Sequence, residues 1–440
     1  MGIPLVDSTH DPALRSWVAS ANAPGTDFPI QNLPFGILRT GGHARGGVAI
    51  GDEILDLPAA LAAGLLAGDV ARAAEAATGE ALNPLLALGR PGLRVLRQRL
   101  SAILAEGSED RAKAARCLVP MAEAELLLPM QVGNFTDFMA SRYHTGRLGR
   151  RRDPQNPLPP SFLHLPIAYH SRATTVRVSG EPVARPHGQS AGPDGAPRFG
   201  PVQSLDFELE FGAVMGPANR LGEPIPVARA ADSIVGYCLL NDWSARDVQR
   251  FEMMPLGPFL SKSLSTTISP WLVTADALAP FAAPAFAPLQ GDPAPLPYLM
   301  DTDDQATGGL DVTLRVAVTT PRMRAEGAAP AIICTSSLRH LNWTFAQMVA
   351  HHTSNGCDLR IGDLLGSGTV SGPEPDGRAC LAEVVMEDGG FTLPNGEKRV
   401  FLEDGDEVTF TGRAERPGRV PIGFGRCAAR ILPARPWPTA

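Results

Sequence analysis

The segment Leu205-Asp-Phe-Glu-Leu-Glu-Phe alternates apolar and acidic residues without a break. An extended strand has that period, so Leu205, Phe207, Leu209 and Phe211 take one face and Asp206, Glu208 and Glu210 the other. Same-face carboxylates then stand roughly 7 Å apart along the strand, a repulsion that interspersed Lys or Thr would relieve. Two readings stand open on this segment. One is a half-buried strand with a solvated acidic face; the other is a hard cation bound by oxygen ligands, which turns the repulsion into a site.

Around this segment the texture is one of short strands and turns. Gly 45 and Pro 42 together make about one residue in five, against a usual ~12%. Since 44% of residues are hydrophobic, the chain is loop-rich rather than disordered, and its 440 residues suffice for two or three domains. Thr175–Val178, Leu205–Val214, Ile234–Leu240, Ile268–Val273, Val312–Val318, Cys380–Met386 and Glu407–Thr411 read as strands of a mixed or antiparallel β core. A helix is expected from about Ser336 to Thr353, stopped by Asn355-Gly356. Near the N-terminus, Phe35–Leu38, Gly47–Ile50 and Glu53–Leu57 read as a small sheet. From Pro58 to about Glu106 the spacing turns helical, with Leu93, Leu96, Leu100 and Leu104 on one face. Pro120 and Pro129 punctuate a boundary near residue 125, which divides the chain into 1–125 and 126–440.

Lys+Arg 39 against Asp+Glu 46 leaves a net charge of −7, which excludes the basic stripe a nucleic-acid or membrane-surface protein needs. Cys117, Cys238, Cys334, Cys357, Cys380 and Cys427 are scattered without a C-x-x-C pair. Reduced thiols in a cytoplasmic enzyme are therefore expected, with no disulfide framework and no structural zinc. Met1–Ser8 shows no leader pattern, and no run of about 18 apolar residues exists to span a bilayer. The phosphate loop G-x-x-x-x-G-K-[ST], the zinc helix H-E-x-x-H and the nucleophile elbow G-x-S-x-G are all missing.

What remains is a dispersed set of polar residues, each with a plain structural alternative. Asp242 follows a buried apolar run in Asn241-Asp-Trp-Ser-Ala-Arg-Asp, where a strand exit holds polar groups rigidly. Ser244 and Asp247 are equally suited to cap a short helix. On that helix Arg246, Gln249 and Arg250 share a side and offer donors for a carboxylate or enolate oxygen. Lys262 is a lone cation among apolar and hydroxyl residues, either a surface lysine or a buried electrophilic group. Asn134 to His144 reads as a capped helix, with Asp137 and His144 on one face and about 10 Å apart in rise. There Asp137 is a candidate metal ligand and His144 a candidate base, although a lone histidine is usually structural. His351 and His352 suit a helix C-terminus. Arg147, Arg150, Arg151 and Arg152 read as a solvated run, or as a loop presenting one arginine to an anion. Thr369 sits in a Gly-rich turn, with Glu383 on the strand that follows. Such pieces suit metal-assisted chemistry on an anionic oxo-compound.

The segments Asp137–His144, His164–Arg172, Leu205–Glu210, Asn241–Asp247, Pro255–Ser263 and Thr266–Trp271, with His351–Gly356 and the Thr369 turn, closely resemble the fumarylacetoacetase (fumarylacetoacetate hydrolase) family. The likeness runs from about residue 130 to 430 and extends more weakly into the N-terminal part. It implies a mostly β protein with α: a small N-terminal SH3-like barrel followed by a mixed β-roll catalytic domain, as a homodimer. It implies Ca²⁺ or Mg²⁺ held by Asp137, Glu208, Glu210 and Asp242, with Lys262 and Thr266 beside the metal. The implied reaction is hydrolysis of the carbon–carbon bond of 4-fumarylacetoacetate to fumarate and acetoacetate, the last step of tyrosine and phenylalanine breakdown. In it His144, oriented by Glu383, activates water, while Arg246, Gln249 and Lys262 stabilise developing negative charge. Arg152 (or its neighbours Arg150 or Arg151), Tyr169 and Thr369 match substrate-contacting positions. Met139 and Met253 stand where the family carries two further tyrosines, which points to an acylpyruvate as the alternative substrate. Within the superfamily the competing reaction is decarboxylation or hydration of a 2-oxo acid, and outside it a non-catalytic Ca²⁺ module.

Overall fold

The computed structural model describes residues 6–438. Of the Met1–Ser8 stretch read for a leader, residues 1–5 lie outside them. The protein is mostly β with α. An eight-stranded mixed sheet organises the chain, running Ala168–Ser171, Phe135–Phe138, Leu364–Gly366, Leu209–Met215, Ile234–Asp242, Thr266–Ile268 and Val176–Val178, with Val273–Thr274 also pairing onto Ile234–Asp242. All nine residues of Ile234–Asp242 are buried. Its side chains feed two cores in turn: Tyr237 and Leu239 enter one, Cys238 and Leu240 the other. A strand covered on both faces reads as a continuous apolar run, and Ile234–Leu240 reads that way.

The first core lies between this sheet and a five-stranded sheet of Ala331–Ser337, Val312–Thr319, Glu407–Ala414, Ile422–Leu432 and Val183–Ala184. Phe211 against Phe424 (5.0 Å) bridges the two sheets edge-on, and Phe207, just before the strand Leu209–Met215, packs edge-on against Phe410 (5.8 Å). The second core joins the central sheet to the N-terminal part. There an antiparallel sheet runs Leu118–Pro120, Glu53–Asp56, His43–Ile50, Phe35–Thr40 and Glu125–Leu127. The helix Gly89–Leu104 buries Leu93, Leu96, Leu100 and Leu104 as its spacing demands. Phe35 and Leu272 exchange backbone hydrogen bonds of 3.0 and 2.7 Å, and Arg90 and Arg94 both reach Asp276 at 2.7 Å, so the two parts share one packed body. No helix among the described residues is long and apolar enough to cross a membrane.

Several local expectations are corrected. The alternating run is not one strand: Leu205–Asp206 and Leu209–Met215 are separate, and Glu208 between them bridges Cys380. Its acidic face is buried, so the solvated reading fails. Cys380–Met386 is not a strand, and Glu383 lies on the helix Leu381–Asp388. Asp206, from across the fold, accepts from Leu381 N (2.7 Å) and Ala382 N (2.9 Å) and caps that helix, while Gly389 at φ 74° ends it. Asn134–His144 is no single helix: Asp137 is on the strand Phe135–Phe138, and Ser141 caps a new helix, Arg142–Gly149. The helix expected from Ser336 starts only at Phe345, where Thr344 and Gln347 form a capping box, because Ser336 still pairs with Leu314 in the sheet. Ile268–Val273 divides into Thr266–Ile268 and Val273–Thr274, since Pro270 cannot donate to a ladder and Trp271 turns inward against Phe28.

Candidate active site

Register brings the acidic residues to one end of the central sheet. Asp137 stands beside Gly366 on its parallel neighbour, Gly366 sits two residues along from the Glu210 level of the next strand, and Asp242 closes its own strand opposite Thr266. One carboxylate oxygen from each of Asp137, Glu208, Glu210 and Asp242 lies within 4.8 Å of the others, and all four residues are buried. Gly366 makes room for them. A Cβ on it would stand 2.6 Å from Asp137 Oδ1 and 2.9 Å from Glu210 Oε2. Gly366→Ala is therefore expected to weaken cation binding by about 10- to 100-fold, read by calorimetric titration, and unchanged binding would contradict the cradle.

The compensating charge is incomplete. Lys262, buried rather than on the surface, donates to Asp242 Oδ2 at 2.9 Å and to Glu208 Oε2, and Thr266 Oγ1 donates to Asp242 Oδ1 at 3.0 Å. As an ammonium, Lys262 has no lone pair to ligate a metal, so its place is to bind the carboxylates. Tyr169 Oη lies 2.8 Å from Asp137 Oδ2 and 3.0 Å from Asp242 Oδ2, and its one proton serves only one of them. Asp137 Oδ1 and both oxygens of Glu210 have no donor at all. Orphaned buried carboxylate oxygens, four hard donors and a charge deficit fit a divalent cation of the Mg²⁺ or Ca²⁺ kind better than a softer metal.

The protonation equilibria carry the same strain. Burial, and then the Asp242 charge, push the Asp137 carboxyl up to about 7. Glu210 is raised well above the carboxylate range by burial and then by Asp137 and Asp242, and burial with Glu208 raises Asp242 despite Lys262. Glu208 goes the other way, because Lys262 and Arg246 outweigh its burial. Between the ordinary aspartate value of 3.8 and about 7, folded Asp137 keeps a proton that the unfolded chain releases. Its contribution to stability therefore falls as pH rises through that window. A cation competes with that proton, so the rise in Tm on adding Mg²⁺ or Ca²⁺ is expected to be larger at pH 7.5 than at pH 5.5. Equal shifts would contradict the assignment.

Beside the cluster stands His144, third residue of its helix, where the Ser141 cap sets it. Its Nδ1 lies 2.6 Å from Glu383 Oε1, and its Nε2 faces Glu208 Oε1 at 4.0 Å. A carboxylate can only accept, which places the ring proton on Nδ1 and the lone pair on Nε2, toward the carboxylates. Burial would raise Glu383, but its hydrogen bonds from His144 and Ser371 and the Arg147 charge hold it below its ordinary value. Arg246 is buried and bonds Asp206 through Nε at 2.8 Å and Gln249 Oε1 through Nη1 at 3.1 Å. Its Nη2 lies 2.8 Å from Glu208 Oε1, yet no N–H of that nitrogen is aligned on an acceptor. Thr369 is buried with its Oγ1 free.

The structure thus gathers Asp137, His144, Tyr169, Glu208, Glu210, Asp242, Arg246, Gln249, Lys262, Thr266 and Glu383. Arg152 stays outside on an exposed loop, bonding only Pro157 O at 3.4 Å, and Arg150 faces Glu387. Four roles escaped the sequence reading, which had Arg147 in a basic run and Asp206 on an acidic strand face and weighed neither Ser371 nor Glu252. Arg147 is buried on Glu383; Ser371 donates to Glu383; Asp206 holds Arg246; and Glu252 accepts from Phe259, Leu260 and Ser261 to shape the loop before Lys262. Only the spacing of Arg147, three residues after His144, was a usable signal.

Residues 134–432 match the family model described as fumarylacetoacetate (FAA) hydrolase C-terminal, and residues 31–129 that described as fumarylacetoacetase N-terminal. The chain is 44% identical over 443 residues to the fumarylacetoacetase of Oryza sativa subsp. japonica, covering 98% of this chain and 100% of that protein. It is 44% identical over 423 residues to the fumarylacetoacetase of Homo sapiens, covering 94% and 98%. Among solved structures, a fumarylacetoacetate hydrolase from psychrophilic Exiguobacterium antarcticum superposes with TM-score 0.50 at 16% identity, covering 92% of this chain and 100% of the other, a likeness of fold.

Proposed function

The chain belongs to the fumarylacetoacetate hydrolase family and is a hydrolase, and from that premise we propose that it cleaves 4-fumarylacetoacetate, with water, to fumarate and acetoacetate. This is the closing step of tyrosine and phenylalanine catabolism. The observation that carries the reading is His144, held by Glu383 at Nδ1 and facing the four-carboxylate cluster with Nε2.

Asp137, Glu208, Glu210 and Asp242 would hold Mg²⁺ or Ca²⁺, which supplies a Lewis acid for the dioxo group of the substrate. His144 takes a proton from water at Nε2, and the hydroxide attacks the carbonyl carbon of the scissile bond. Glu383 steadies the imidazolium that forms. The N–H groups of Arg246 and the amide of Gln249 stabilise the oxyanion, with Lys262 adding positive charge nearby. When the carbon–carbon bond breaks, its electron pair leaves with acetoacetate, and the proton on His144 neutralises it. Tyr169 and Thr369 orient the substrate.

Loss of the dioxo absorbance with equimolar fumarate and acetoacetate tests this reading against an acylpyruvate and a 2-oxo acid. Release of CO₂, or preference for the acylpyruvate, would overturn it. A cytoplasmic homodimer belongs to the same reading. All six cysteines are unpaired, and the surface run of Met254 (84% exposed), Leu256 (96%) and Phe259 (70%) suits burial against a second copy. Light scattering at the mass of a single chain would exclude the dimer.

A further inference from the structure

The mechanism above leaves the buried charge of Arg147, in contact with its machinery, unused. Arg147 is three residues from His144 on the same helix, and both reach one carboxylate on another helix. His144 Nδ1 takes Glu383 Oε1 at 2.6 Å, and Arg147 Nη1 takes Oε2 at 2.9 Å. Arg147 Nη2 donates to Pro373 O at 3.0 Å, which ties the grip to the turn whose Ser371 donates to Oε1 at 2.5 Å. Of the four arginines in this run only Arg147 is buried. We infer that Arg147 is a positioning residue: it fixes Glu383 as an ionised, oriented carboxylate and thereby keeps the His144 proton on Nδ1.

The physical case is the alternative. Glu383 is completely buried, and a carboxylate there without a cation tends to take up a proton. A neutral Glu383 donates its own proton to Nδ1, which forces the ring proton onto Nε2 and removes the lone pair facing the carboxylates. Held by the hydrogen bonds from His144 and Ser371 alone, the carboxylate also keeps a free oxygen and a free rotation. The charge-assisted bond from Arg147 Nη1 occupies that oxygen, and the bond from Nη2 to Pro373 O keeps the guanidinium, and with it the carboxylate, in place.

This inference rests on the hydrolase reading of the same site, and its test separates the two. Arg147→Met is expected to lower kcat by about 10- to 100-fold with little change in KM, and Arg147→Lys to recover most of the loss. In a Glu383→Gln background, Arg147→Met is expected to cost nothing further, because the residue acts through Glu383. In ¹⁵N-histidine-labelled protein, the strongly hydrogen-bonded Nδ1 proton of His144 is expected downfield in wild type and Arg147→Lys and displaced in Arg147→Met. Losses that multiply in the double variant, or an unmoved proton resonance in Arg147→Met, overturn the inference. If wild type fails to turn over fumarylacetoacetate, the functional reading falls, while the resonance still decides the role of Arg147.

Discussion

His144→Ala is expected to lower kcat on fumarylacetoacetate by about 10²–10⁴-fold, the range of a positioned general base. Cation affinity should stay unchanged. The reason lies in what remains: Glu383 keeps Arg147 at 2.9 Å and Ser371 at 2.5 Å, so no buried carboxylate is left bare. None of the four clustered carboxylates takes a hydrogen bond from His144; the nearest approach is 4.0 Å, to Glu208. The loss should therefore be one of turnover rather than of fold, with circular dichroism and the calorimetric cation titration both as in wild type. Hydrolysis at the wild-type rate would remove His144 from the chemistry.

Glu210→Gln is expected to reduce turnover by about 10³-fold, the several kcal/mol a Lewis-acid cation contributes, and to stabilise the cation-free protein. Glu210 is fully buried and neither oxygen has a donor. Burial and the neighbouring carboxylates raise its pKa well above the ordinary 4.5, so without a cation the folded side chain holds a proton that the unfolded chain gives up. Above the unfolded value that difference favours unfolding, and it grows as pH rises. Glutamine has no proton to release, and its amide offers a donor to the orphaned Asp137 Oδ1. Thermal unfolding in chelator should show a higher Tm for the variant than for wild type, a trade of stability for function. A less stable, fully active variant would contradict the account.

Much of this site was legible because its chemistry is carried by side chains packed into short, ordered motifs. The acidic alternation of Leu205–Phe211 announced carboxylates close together, and Asp242 at the exit of an apolar run fell where the sheet needed it. What misled was context supplied from afar. Cys380–Met386 is β-branched enough to read as a strand, while the cap that favours the helix comes from Asp206, 175 residues away. The Asp137–His144 spacing suggested one helix because nothing local shows that Asp137 pairs with Gly366's strand. Lys262 looked like a surface residue, since its burial depends on Asp242 and on Glu208, 54 positions away. Arg147 was hidden inside a run whose other members are exposed.

The arrangement of four carboxylates around one hard divalent ion next to an imidazole is tested most directly by titrating Mg²⁺ or Ca²⁺ into chelator-stripped protein while following fumarylacetoacetate turnover. No turnover is expected at the start, with recovery complete at one ion per chain. Full activity in excess chelator, with the fold intact, would contradict it.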